Sequence, residues 1–291
     1  MIKSRKTALL EGITAGFLFG TAAIFIRLLP GMGVLSIALW RLIIACGALA
    51  CIILAFKKPA VSSFSRRNLK DFLILGILLG VHFILFISAV KKTSLLNAAV
   101  LVNTTPIFSM FISTFIYSMK PSKLALLGMI LSFLGAGIIA IGDLRAGATG
   151  NLIGDLEATL AAVAEGFYLN YGRDKRRKLP LLATVFFIYF MAALTVGGAI
   201  VLTGTTFEFS GSFELLLPLI GLGVLPTAAA HTFYFSSLSA LKSFETATMA
   251  LLEPIGATLL GIAIFSEVPQ PIFVIGALLV LVGIISIALS E

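Results

Sequence analysis

Apolar residues occupy this 291-residue chain in long blocks separated by short polar breaks. Windows of about 19 residues predict ten helical spans. They are Ala8–Leu29, Val34–Phe56, Phe72–Val90, Leu95–Met119, Leu124–Ile141, Leu152–Tyr171, Leu181–Thr203, Leu215–Leu238, Phe244–Ser266 and Pro271–Leu289. At about 1.5 Å of rise per residue most of these cross a hydrocarbon core of about 30 Å. The pattern predicts an all-α integral membrane protein of ten transmembrane helices, with no stretch left over for a soluble domain.

The blocks are not independent of one another. Residues 86–139 align without a gap on 234–287 at a constant offset of 148, which superposes Pro106 on Pro254, Pro121 on Pro269, Gly128 on Gly276 and Gly135 on Gly283. Earlier in each half an offset of 146 puts Glu11 on Glu157, Gly20 on Gly166 and Arg27 on Arg173. Matches of Leu and Ile carry little information in so apolar a chain. Prolines, glycines and intramembrane charges seldom coincide by chance. The chain reads as two five-helix repeats, residues 1–146 and 147–291, and internal duplication is a pattern of secondary transporters with their site at the repeat interface.

Composition agrees: 12% of residues are charged and 59% hydrophobic, against about 25% charged in a soluble domain. Only lipid solvates that much apolar surface. The net charge of +8 raises the question of a nucleic-acid partner, but its distribution argues against one. With the N-terminus in the cytoplasm, the inner segments hold Lys3, Arg5, Lys6, Lys57, Lys58, Arg66, Arg67, Lys70, Lys120, Lys123, Arg173, Lys175, Arg176, Arg177, Lys178 and Lys242. The outer side holds Arg27, Lys91, Lys92 and Arg145. This positive-inside asymmetry predicts a multi-pass protein of the inner or plasma membrane with both termini cytoplasmic. Five helices per half make the second repeat start on the opposite side, so the two repeats are inverted. The charges follow, because inner Lys120 and Lys123 become Val268 and Pro271 where the equivalent loop is outer. Met1 to Lys6 with the apolar run behind it resembles a signal peptide, but the run is long and contains Glu11, so it is read as the first span.

An ionisable group at mid-membrane costs about 2.5–3.5 kcal/mol on insertion scales, so each one needs a reason. Glu165 lies near mid-depth in the sixth span, with Tyr168 one turn later, and reads either as a cavity wall touching substrate or a proton, or as a structural carboxylate. Glu157, nearer the interface, reads as structural. Glu253 precedes Pro254 as Thr105 precedes Pro106, and the two prolines predict equivalent kinks in the fourth and ninth spans. Asn103, with Asn97 and Thr104, gives the fourth span polar content of a kind that more often joins helices than binds ligands. His82 and His231 can each exchange a proton near neutral pH or bond a backbone carbonyl. Arg41 either attracts an anionic group or balances a buried glutamate, the second being slightly favoured. Trp40 and Tyr234 complete the candidate cavity lining.

Gly12, Gly16 and Gly20 form a small-residue ridge in the first span, as do Gly76 and Gly80 in the third, and such ridges point to close helix packing. Cys46 and Cys51 fall on different faces of one helix, which excludes a disulfide between them. No Walker A loop, HExxH, GxSxG or Cys/His cluster is present. An intrinsic ATP-driven pump is excluded, and no cofactor is expected.

Ten spans, five-plus-five repeats and this length resemble the EamA-like members of the drug/metabolite transporter superfamily, over nearly the whole chain. The resemblance rests on Ala89-Val-Lys-Lys-Thr-Ser-Leu-Leu-Asn-Ala-Ala running to Thr105-Pro106, and on Ser237 to Leu252-Glu253-Pro254 followed by Phe265-Ser266-Glu267. Phe19-Gly20-Thr21 and Trp40-Arg41-Leu42 add to it. The chain departs from the family pattern at Phe19, where Trp is usual, and at Ser118-Met119, where Gly-Glu is common. The resemblance implies a carrier of small metabolites, often amino acids or related compounds and often an exporter. Protons are a candidate coupling ion, and the working unit is a monomer or homodimer. It also implies a cavity lined by spans one to four and six to nine, with five and ten peripheral. Two other classes compete. An enzyme acting on lipid would need clustered catalytic groups at an interface, and a membrane scaffold would need larger loops.

Overall fold

A computed structural model describes residues 3–56, 66–93, 95–143, 151–208, 213–265 and 271–290. Among them every regular element is helical. The first half holds α1 (Arg5–Arg27), α2 (Val34–Ala55), α3 (Arg66–Lys92), α4 (Leu95–Val102), α5 (Thr105–Phe115) and α6 (Lys123–Asp143). The second holds α7 (Leu152–Lys178), α8 (Leu181–Thr203), α9 (Phe213–Leu222), a π-helical segment Gly223–His231, α10 (Thr232–Ser237), α11 (Ser243–Met249), a 3₁₀ turn Ala250–Leu252, α12 (Glu253–Phe265) and α13 (Ile272–Leu289).

Eight runs among the described residues are long and apolar enough to cross a membrane. They correspond to the expected spans one to four and seven to ten. The fifth is α6, whose apolar stretch covers Lys123–Ile138. The sixth is α7, where Asp155, Glu157 and Glu165 lower the hydropathy of a 27-residue helix. Local chemistry sets its ends. The Asn151 side chain accepts from Ile153 N at 3.0 Å, Asp155 sits in the first turn, and four cations from Lys175 to Lys178 fill the last, as the helix dipole favours.

Both prolines flagged in the sequence act as starts rather than kinks. α4 stops at Val102, Asn103 and Thr104 form a turn, and Pro106 occupies the first turn of α5, where a missing N–H costs nothing. Equivalently, α11 tightens into the 3₁₀ turn and Pro254 is the second residue of α12. The fourth and ninth spans are therefore broken at matching positions, and polar side chains gather at each break. The eighth span differs from its expected plain helix. Pro226 lies inside the π-helical segment and Pro218 inside α9, each lacking the donor that a regular ladder needs.

Glycines set the helix spacing. A Cβ at Gly16 would lie 2.0 Å from Met249 O, and one at Gly20 2.5 Å from Ala257 N. α1 thus rides directly on the backbone around the 3₁₀ break. On α3, Gly76 packs against Met191 of α8 in the same way, at 2.3 Å from a built Cβ to Met191 Cβ. The repeated glycines of α6 and α13 meet crosswise. Gly128 faces Gly283 O and Gly135 faces Gly276 O, each at 2.5 Å from a built Cβ, so these two helices run antiparallel. Midway between, Ser132 Oγ donates to Val280 O at 3.3 Å.

Candidate functional site

The interior holds a cavity of about 40 Å³, lined by Phe19, Ala22, Arg41, His82, Phe83, Phe86, Val102, Asn103, Thr105, Glu165, His231, Ala250 and Glu253. A water needs about 10–15 Å³, so the space has room for about two to four waters. Its walls come from α1, α2, α3, the α4–α5 break, α7, the π-helical segment and the α11–α12 break. Among the described residues α6 and α13 contribute none of the lining, and they pack on each other. α8, the seventh expected span, also stays out of the lining and supports α2 and α3 from behind.

The acidic side of the cavity is built around the two helix breaks. Glu165 is 6% exposed, and its Oε2 lies 3.2 Å from Thr105 Oγ1 and 3.9 Å from His82 Nδ1. His82 Nδ1 sits 3.0 Å from Ala161 O, a carbonyl that can only accept, so that nitrogen carries its hydrogen. Thr105 Oγ1 is also 2.8 Å from Val102 O. One hydroxyl hydrogen serves one of these acceptors at a time. Glu253 opens α12 and neighbours Asn103 across the two breaks, and it forms no ion pair among the described residues.

The opposite side is cationic and aromatic. Arg41 is 1% exposed; its Nε donates to Thr227 Oγ1 at 2.9 Å and its guanidinium carbon lies 3.8 Å from the centroid of the Phe83 ring. The expected balance with a glutamate is not formed. Among the described residues Arg41 has no ion-pair partner, since Glu165 on α7 faces Thr105 and His82 instead. His231 packs edge-on to Phe19 at 4.7 Å and to Phe83 at 4.9 Å, and its buried Nδ1 has no hydrogen-bond partner among the described residues.

Tyr168 and Tyr234 stand just behind this lining, each fully buried with a hydroxyl that has no partner among the described residues; Tyr234 leans on Phe19 at 5.1 Å. Trp40 lies apart from the cavity at the end of the bundle. Its Nε1 donates to Glu208 O at 3.0 Å and its ring stacks on Phe207 at 5.3 Å, since position 40 points away from the face that carries Arg41. Pro106 and Pro254 start helices beside the cavity without lining it. Sequence reasoning missed Phe83, Phe86 and Thr227. Only the Pro226-Thr227 pair inside an apolar span hinted at the last of these.

Both ends of the bundle are tied. At one end Arg5 Nη2 donates to Glu245 Oε1 at 2.9 Å, to Ile287 O at 2.9 Å and to Ser290 O at 2.8 Å, while Lys3 pairs with Glu11. At the other end Lys92 pairs with Glu157 at 2.5 Å. Lys91 Nζ there donates to Met32 O at 2.7 Å.

A polar, two-signed cavity enclosed by apolar helices is the architecture of a membrane carrier. The chain belongs to the EamA-like transporter family, whose model matches it twice, over residues 6–141 and 152–289. It is 27% identical over 254 residues to the uncharacterized transporter YdfC of Bacillus subtilis (strain 168), covering 85% of this chain and 79% of that one. An uncharacterized transporter of Clostridium kluyveri is 28% identical over 207 residues, 67% of this chain and 64% of its own length. A solved crystal structure superposes with a TM-score of 0.82 over 97% of this chain and 96% of its own, at 19% identity. That likeness shows the fold.

Proposed function

We propose that the protein is a secondary transporter that moves small amphipathic organic metabolites, amino acids and related compounds among them, by alternating access and in the direction of export. Ten helices form two inverted five-helix repeats, with both termini cytoplasmic. The antiparallel α6–α13 pair supports the inversion, because Ser132 bonds Val280, its own counterpart 148 residues later. An inverted pair supplies two pseudo-equivalent conformations, one open to each side.

The observation that carries this reading is the cavity itself. Arg41, His82, His231, Glu165 and Glu253 all line it, although each is expensive to hold within a membrane. Such groups mark a substrate or ion pathway. Glu165, beside His82 and the Thr105 hydroxyl, is the proton carrier in this reading, and Glu253 is the second carboxyl of the pathway. Substrate entry needs the end clasps to rearrange, because the cavity as it stands is about 40 Å³.

The test is flux of labelled amino acids and related metabolites in proteoliposomes, with and without an imposed pH gradient. A pH gradient is expected to accelerate efflux of at least one compound. Glu165→Gln is expected to abolish that acceleration, and Glu253→Gln to lower flux. Unchanged flux in both variants would remove the cavity from the pathway.

A further inference from the structure

Arg41 presents an unusual balance. Its guanidinium is charged at neutral pH, and a buried charge without a partner is costly. Among the described residues its one hydrogen bond is from Nε to a neutral hydroxyl, and its guanidinium carbon lies 3.8 Å from the centroid of the Phe83 ring. Nη1 is fully buried with no protein partner. Among the described residues neither carboxylate of the cavity pairs with it: Glu165 faces Thr105 and His82, and Glu253 neighbours Asn103.

The π-helical segment explains how the cation is held. Thr227 Oγ1 donates to Leu222 O, five residues back, at 2.6 Å. Its lone pairs are thereby turned toward Arg41 Nε. The carbonyl of the same residue accepts from Tyr189 OH at 2.9 Å, which pins the widened turn to α8. His231, with its unpartnered Nδ1, closes the segment on the same cavity wall. π-Helical segments are rare and concentrate at functional sites. Here one seats an arginine by a single edge and leaves the rest of the guanidinium toward the cavity.

We propose that Arg41, braced by Thr227 and joined by His231, is the docking point for a carboxylate on the transported molecule. This rests on the transport reading and narrows it to substrates bearing an acidic group. The carboxylate replaces the missing counter-charge, with charge-assisted hydrogen bonds from the free guanidinium edge. Phe83 and Phe86 then border the apolar part of the molecule.

The experiment reads binding and needs no transport. Purified protein is melted in detergent with a panel of aliphatic and aromatic carboxylates, each paired with its primary amide, and with sodium chloride and inorganic phosphate at matched ionic strength. At least one carboxylate is expected to raise the midpoint saturably while its amide, chloride and phosphate do not. Arg41→Gln is expected to weaken that carboxylate by about tenfold to a hundredfold, the loss that follows removal of a charged hydrogen-bond partner. Arg41→Lys should restore part of the shift, and Arg27→Gln, an exposed charge on α1, should keep all of it. Equal shifts from acid and amide overturn the proposal, as does stabilisation by chloride or phosphate alone, or a full carboxylate shift in Arg41→Gln. If Arg41→Gln fails to fold, the acid–amide comparison on the unaltered protein still decides. Carboxylate binding without flux would sink the transport reading alone, and flux of compounds without an acidic group would sink only this one.

Discussion

Gly16→Ala adds one methyl group where α1 crosses the 3₁₀ break, and the structure fixes what that methyl meets. Its Cβ would fall 2.0 Å from Met249 O and 3.0 Å from Leu252 Cβ, whereas ordinary contact begins near 3.4 Å. The gap to be opened is the difference, 3.4 − 2.0 = 1.4 Å. The obstacle is a backbone carbonyl within a tight turn, which cannot rotate away, so α1 itself must move. Overpacking of this kind costs up to about 3 kcal/mol. Replacing a mid-helix glycine by alanine recovers about 1 kcal/mol of backbone entropy. The net is a destabilisation of about 2 kcal/mol. At about 2–4 °C per kcal/mol this lowers the midpoint by about 4–8 °C. Gly47 is the control, lying in α2 with nothing within 4 Å of a built Cβ, so Gly47→Ala should be neutral or raise the midpoint. Thermal unfolding of the purified variants in one detergent reads both. The reasoning is refuted if the two substitutions shift the midpoint in the same direction. Because α1 carries Phe19 and Ala22 into the cavity, Gly16→Ala should also lower flux, and Gly47→Ala should leave it alone.

Two further outcomes follow from the buried polar network and the end clasp. Asn170 donates to Ser109 O, Ser109 Oγ and Gly166 O at 2.9–3.0 Å and accepts from Ser243 Oγ at 2.6 Å, so Asn170→Leu strands those partners at the meeting of α5, α7 and α11. It should cost about 2–3 kcal/mol, read as a fall in the thermal midpoint, and an unchanged midpoint would contradict the network's role. Glu245→Gln removes the charge opposite Arg5 in a clasp whose side chains are 3% and 29% exposed, between a buried and a surface ion pair. A loss of about 1–2 kcal/mol should favour opening at that end. Faster maleimide labelling of a cysteine at Ala22, with Cys46 and Cys51 replaced by alanine, would report it, and unchanged labelling would contradict it.

The helical, membrane-spanning character of the chain was legible in its residues, because transfer of side chains into lipid is local and additive and any window of the sequence reports it. The matching prolines and glycines of the two halves were legible for a related reason. Pro106 and Pro254 restrict their own backbones wherever they stand, and the crossing of Gly128 with Gly283 needed only that two equivalent helices pack closely. Each begins a new helix because its ring and missing N–H release the carbonyl four residues back, that of Val102 or Ala250, from the ladder, and the breaks fall there.

Which polar groups face one another was decided by the tertiary structure. Helix rotation separates Trp40, held at the bundle end by Glu208, from its neighbour Arg41, fully inside. The pairing of Arg41 with a glutamate, reasonable from charge, fails because Glu165 points to the α4–α5 break and Thr227 arrives from a π-helical turn that apolar periodicity does not reveal. Charge and hydropathy are properties of residues and can be read in order along the chain. The direction of a side chain depends on the sum of turns, breaks and contacts behind it, and only the packed helices supply that sum.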